Sequence, residues 1–97
     1  MEYMRQDMEI IKFISDYNAT GGVIASICHG AQLLISSKVV AGKKVSGYYS
    51  IKDDINNAGA IYTDKPAVVD GNFVTTAHYK DLGAWMKATL QLVESRT

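Results

Sequence analysis

The stretch Gly22-Val23-Ile24-Ala25-Ser26-Ile27-Cys28-His29-Gly30-Ala31 constrains this chain more than any other. It is a short apolar run that ends at the only cysteine in the sequence, followed directly by a histidine and a glycine. Val23 to Ile27 is apolar but for Ser26 and does not alternate, which predicts a strand buried on both faces, as in a parallel sheet. Beyond it, Leu33, Leu34, Ile35, Val39 and Val40 recur at helical spacing and predict a helix from Gly30 to Val40, stopped near Gly42. Strand, sharp turn and helix, with a nucleophilic side chain on the turn, is the layout of a nucleophile elbow. A thiol so placed sits over the amino end of a helix, where unpaired N–H groups and the helix dipole favour the thiolate. Taken alone, an isolated cysteine in an apolar run is a small buried hydrophobe. The elbow is what makes Cys28 a candidate nucleophile.

The rest of the chain reads as elements able to surround such a strand. Met4, Met8, Ile11, Ile14 and Tyr17 mark an amphipathic helix over 4–19, ended by Gly21-Gly22. Lys44 to Tyr48 can return as a strand beside the first. Ser50 with Asp53 three residues later reads as a capping box opening a short helix, with Gly59 as its stop. Ala60 to Thr63 and Ala67 to Val69 are strand-like, and Pro66 between them suits a strand start or an edge. Asp70-Gly71-Asn72 before Phe73 to Thr76 is a hairpin signal. Leu82, Trp85, Met86, Leu90 and Val93 mark a last helix over 81–95, with Trp85 and Met86 read as core. The order predicts an α/β chain with a parallel portion and an antiparallel extension.

Composition removes several classes of function. A length of 97 residues fits one domain. Ten acidic and ten basic residues balance, so nothing electrostatic favours nucleic acid or an anionic membrane as partner. No apolar run approaches the roughly 18 residues of a membrane span, and the polar amino terminus does not read as a signal peptide. A single cysteine makes no internal disulfide and suits a reducing, cytoplasmic setting. Cys28 and His78 are too few ligands for a metal site.

At Ile27-Cys28-His29-Gly30-Ala31-Gln32-Leu33-Leu34-Ile35-Ser36 the pattern becomes specific, and the chain resembles the ThiJ/PfpI family of the class I glutamine amidotransferase-like superfamily. The resemblance continues through Gly42-Lys43-Lys44-Val45, Ile51-Lys52-Asp53-Asp54, Asn57-Ala58-Gly59-Ala60, Val68-Val69-Asp70-Gly71-Asn72 and Asp81-Leu82-Gly83-Ala84-Trp85-Met86. It is nearest the intracellular-protease and deglycase-like branch, where histidine directly follows the cysteine. The resemblance implies a flavodoxin-like three-layer α/β sandwich. It places residues 1–97 as a single partial domain, the carboxyl-terminal part of a family member. The strands, the cysteine-contacting glutamate and the Gly-Gly oxyanion turn of the family's amino-terminal part would then lie outside these residues.

The resemblance also implies roles. Cys28 would be the nucleophile of a stress-protective cysteine hydrolase. His29 would be its base or orienting partner, its backbone N–H an oxyanion donor, with a merely structural hydrogen bond as the alternative for its ring. Glu2 would reach the histidine of a neighbouring copy and complete a Cys-His-Glu triad in trans within a homo-oligomer. Its alternative is a first-turn carboxylate that favours the helix dipole. Tyr48 falls where relatives carry a Tyr or His facing the site and would bind substrate, as would the backbone at Gly30. Asp53 and Asp54 read as helix-dipole partners rather than a catalytic pair. The substrate expected is a small carbonyl-derived adduct or a peptide, with no metal or organic cofactor. The rival expectation is a catalytically incomplete fragment, serving as a redox sensor through Cys28 or as an assembly module through exposed strand edges.

Overall fold

A computed structural model of the chain describes residues 2–96, with the side chains of residues 4–96. The elements are α1 (Glu2–Arg5), α2 (Met8–Ala19), β1 (Ile24–Ile27), α3 (Ala31–Ser36), β2 (Lys44–Val45), α4 (Lys52–Asn57), β3 (Ile61–Tyr62), β4 (Val68–Asp70), β5 (Phe73–Thr76) and α5 (Leu82–Glu94). They make a mixed α/β fold, as the sequence predicts.

The first helix is two helices. The Asp7 carboxylate accepts the N–H groups of Glu9 and Ile10 at 2.9 and 3.4 Å, capping α2 and ending the continuity with α1. The stripe read from Met4 to Tyr17 is therefore interrupted, and no residue of α2 is fully buried. The second helix is shorter than its apolar pattern. Ser37 caps it, Lys38 turns left-handed at φ +59°, and Val39 and Val40 follow as loop, Val40 buried in the core.

Two sheets adjoin. One has the order β1-β5-β4, with β1 parallel and β4 antiparallel to the central β5; the other pairs β2 with β3 in parallel. The strand expected beside β1 is thus not Lys44 to Tyr48 but the later Phe73–Thr76. The reason lies in burial: all four residues of β5 are buried, so it belongs at the centre. β2 meets this sheet through side chains, the Lys44 N–H donating to Asp70 Oδ2 at 2.7 Å and the Ser46 N–H to Thr75 Oγ1 at 2.7 Å.

β1 also departs from expectation. Among the described residues it has a neighbour on one side only, and Ala25 is exposed, so it is an edge strand rather than one buried on both faces. The hairpin forms as predicted, with Asp70 opposite Phe73 and Gly71 at φ +59° in the turn. The core packs beneath α3 and α4, where Ala31, Leu34, Val45, Ile55 and Phe73 meet. α5 docks more lightly. Trp85 is half-buried and its Nε1–H donates to the Val74 carbonyl at 3.2 Å, whereas Met86, read as core, is exposed. No helix among the described residues is long and apolar enough to cross a membrane.

Candidate active site

β1 ends at Ile27 and the backbone reverses at once. Cys28 takes φ +59°, the left-handed region, and opens a single 3-10 turn over Cys28–Gly30 that runs into α3. A non-glycine residue held there costs on the order of 1–2 kcal/mol, and such outliers cluster at functional positions. This is the elbow predicted from the sequence. Only Lys38 shares the conformation among the described non-glycine residues, and it does so at an ordinary helix end.

Around Cys28 the side chains converge. Its Sγ lies 3.3 Å from His29 Nδ1, so sequence neighbours on the turn do face each other. The far nitrogen, Nε2, is 3.4 Å from Ser50 Oγ. A run of ring contacts continues from there: His29 stacked on Tyr48 at 4.9 Å between centroids, then Tyr48 towards His78 at 6.2 Å, then His78 tilted against Tyr79 at 4.1 Å. His78 is itself oriented, its Nδ1 accepting the Lys80 N–H at 3.1 Å. The arrangement can pass a proton from sulfur to imidazole and set a ring surface beside the sulfur.

A glycine brings the second wall up to the first. A Cβ on Gly47 would meet Ile55 Cδ1 at 2.9 Å and Ala31 Cβ at 3.2 Å. Only a bare Cα lets the segment after β2 lie against the start of α3. The next residue, Tyr48, then donates its N–H to the Cys28 carbonyl at 2.9 Å, fastening that segment to the elbow.

Beyond Tyr48 a recess of about 460 Å³ opens, walled by Tyr49, Tyr62 and His78 and rimmed by Asp64, Lys65 and Lys80. Burial, with the Asp64 carboxylate and Tyr49 adding smaller effects, raises the Tyr62 phenol above its ordinary range. Gly30 lines a separate apolar groove along β1. Cys28, His29 and Tyr48 are brought together around the elbow. The side chain of Glu2 lies outside the described residues.

Two members of the cluster escape sequence reasoning. Ser50 reads as a helix cap, but α4 begins without a side-chain cap bond and the hydroxyl turns to His29. His78 stands far along the chain, and no local pattern signals its approach to Tyr48. Among the described residues no three His, Cys, Asp or Glu side chains gather as a metal site would.

Comparison with known proteins fits this geometry. Residues 1–92 match the model of the DJ-1/PfpI family. The chain is 39% identical over 93 residues to Deglycase PfpI of Pyrococcus furiosus, covering 96% of this chain and 56% of that protein. It is 38% identical over 93 residues to Protein/nucleic acid deglycase 2 of Escherichia coli, covering 95% of this chain and 54% of that one. Among solved structures, a two-domain protein from Anabaena variabilis, with DJ-1/ThiJ/PfpI-like and ferritin-like domains, superposes with a TM-score of 0.92 at 34% identity, over 96% of this chain and 27% of that one. The chain thus spans about half the length of the curated relatives it matches, and the fold it shares with these neighbours is the flavodoxin-like one. With its elbow, its Cys-His pair and this breadth of similarity, the chain belongs to the DJ-1/PfpI family.

Proposed function

We propose that this chain carries the nucleophile of a cysteine-dependent hydrolase, acting on small carbonyl-derived adducts or peptides. One observation carries the reading: the strained elbow that holds Cys28 Sγ 3.3 Å from His29 Nδ1, beside the Tyr48 ring. His29 takes the thiol proton, and the thiolate attacks the substrate carbonyl carbon, forming the C–S bond as the π electrons move to oxygen. The His29 backbone N–H is the candidate donor to that oxygen. Collapse expels the amine, which leaves with the proton from His29. Water, deprotonated by the same ring, then breaks the thioester and restores the thiol. On a glycation adduct the order differs: the hemiaminal carbon first expels the amine, and the freed aldehyde adds the Cys28 thiolate as a hemithioacetal. A proton moves from that carbon to the neighbouring carbonyl carbon through an enediol to give a thioester, and water hydrolyses it to the hydroxy acid and the thiol. The recess past Tyr48 is where the remainder of the substrate would rest.

The wider assignment follows the same reading. Glu2 from a second copy would hold the His29 tautomer, which makes the working form a homo-oligomer. Residues 1–97 would act as one partial domain, in a reducing cytoplasm that keeps Cys28 a thiol. The names of the deglycase relatives support the substrate class. The half-exposed state of Cys28 and the open outer edge of β1 favour a second reading, a redox-sensing or assembly module without turnover.

The pH dependence of Cys28 alkylation by iodoacetamide, run beside release of methylglyoxal-derived adducts, separates the two. Alkylation of Cys28 faster than that of a free thiol across the profile, with turnover lost in Cys28→Ser and reduced in Glu2→Gln, is the expected result. An ordinary thiol profile, or a Cys28→Ser variant with full turnover, would overturn the enzyme reading.

A further inference from the structure

Both ring nitrogens of His29 have a partner within the chain. Nδ1 lies 3.3 Å from Cys28 Sγ, and Nε2 lies 3.4 Å from Ser50 Oγ. To take the thiol proton on Nδ1, the neutral imidazole must carry its own hydrogen on Nε2. Once the proton has moved, the imidazolium carries a hydrogen on each nitrogen. In both states an N–H faces Ser50, and the group opposite it has to accept. At 3.4 Å the contact is long for the neutral ring. Hydrogen bonds to a charged ring are shorter and stronger, and catalytic contacts tighten as charge develops.

The backbone brings Ser50 to this position at the expense of a cap. A serine beside a helix start ordinarily caps it, yet α4 opens with no side-chain cap bond. Ser50 lies in the 3-10 turn Tyr49–Ile51, closed by the Ile51 N–H on the Tyr48 carbonyl at 2.9 Å. That turn is fastened to the elbow, because the Tyr48 N–H donates to the Cys28 carbonyl at 2.9 Å. Two residues apart, Tyr48 covers one face of the imidazole and Ser50 meets its outer edge. Among the described residues no other side chain bonds to the ring. His78 stands beyond Tyr48, and Asp53 and Asp54 in the first turn of α4 form no ion pair with it.

Given Cys28 as nucleophile and His29 as base, on which this rests, we propose that Ser50 is a positioning residue for the pair. Its Oγ accepts the Nε2–H of His29, which keeps Nδ1 bare towards the thiol and supports the imidazolium formed when the S–H bond breaks and its proton passes to Nδ1. No proton moves to or from the serine. Orientation of a catalytic imidazole through its far nitrogen is the task of the third member of a triad. Here a hydroxyl of the same chain does it, so the Cys28–His29 pair is set before any second copy arrives. The Ser50 O–H stays available to a further acceptor, such as the Glu2 carboxylate proposed in trans.

The test reads the ring and the thiol directly, without turnover. Nitrogen-15 NMR of the imidazoles, of which the chain has two, gives the His29 tautomer, and iodoacetamide at pH 7 gives the reactivity of Cys28. In the unaltered chain the His29 hydrogen is expected on Nε2. Ser50→Ala, at an exposed position, should mix the tautomers and slow alkylation by at least about threefold, with circular dichroism unchanged. Ser50→Thr, which keeps the hydroxyl, should restore both, and the same pattern should hold in a Glu2→Gln background. A hydrogen on Nδ1 in the unaltered chain, an alanine variant that matches it in both readouts, or a loss that threonine does not rescue would each overturn the proposal. Should the alanine variant fail to fold, the tautomer of the unaltered chain still decides. Full turnover in Cys28→Ser would instead remove the enzyme reading and leave these two readouts as they are.

Discussion

β1 and β5 lie side by side, parallel and four residues long, yet the fold treats them differently. β5 is buried throughout, with β4 on one flank, β1 on the other and the Trp85 indole bonded to its Val74 carbonyl. Among the described residues, β1 buries only Ser26 of its four and has a strand on one side alone. The strand that delivers Cys28 is therefore the less secured of the two. Stability is concentrated in the strand without chemistry, and the strained reactive turn hangs from its neighbour. Low local stability beside a site is common where binding completes a structure.

Substitutions can break that contrast. The largest effect expected is chemical: if Cys28 is the proposed nucleophile, Cys28→Gly lowers adduct release by at least about 10³-fold. Next comes packing. Phe73→Ala in β5 should cost about 3–5 kcal/mol in denaturant unfolding, against about 1 kcal/mol for Ile24→Ala at the paired position of β1. Equal losses would erase the distinction between the strands. Gly47→Ala should cost roughly 1–3 kcal/mol by forcing its Cβ onto Ile55, and should slow alkylation-sensitive turnover as Tyr48 moves off the elbow.

Smaller effects sharpen the comparison. Cys28→Gly, for all its loss of turnover, should raise stability by roughly 0.5–1 kcal/mol, since glycine relieves the left-handed strain. Lys38→Gly should gain about as much without touching turnover. The smallest effect is spectroscopic. The Tyr62 phenol should titrate above free tyrosine in absorbance at alkaline pH, and Asp64→Asn should bring back only the lesser part of the shift, burial being the larger cause. Because its folded value is raised, the linked stability is present below the unfolded phenol value and falls as pH rises through the folded one.

What could be read from the residues alone follows how far each signal reaches along the chain. The Asp70-Gly71-Asn72 turn, the Gly59 stop and the Cys28 elbow each depend on a few neighbouring residues, and each forms as expected. The break at Asp7 is local too, but the apolar spacing of Met4 and Met8 masks it, and a side-chain cap outweighs periodicity there. The misplaced partner of β1 has another cause. Both Lys44–Val45 and Phe73–Thr76 are strand-like, and only burial summed over the whole fold puts the latter at the centre. The site divides in the same way. Cys28 and His29 are adjacent and legible, whereas Ser50 and His78 arrive through tertiary packing that no short pattern records.

The buried Asn72 has a consequence for how the molecule comes into being. Its Nδ2 group donates to Asn18 Oδ1 at 2.9 Å and to the Gly22 carbonyl at 2.8 Å, while its own carbonyl accepts the Ile24 N–H. The first strand is thus anchored by a residue translated long after it. On the ribosome, the segment bearing Cys28 must wait for its pairing with β5 until the hairpin has emerged, because closing so long a loop has to precede the contacts that reward it. The reactive turn is synthesised before the residues that set it in place.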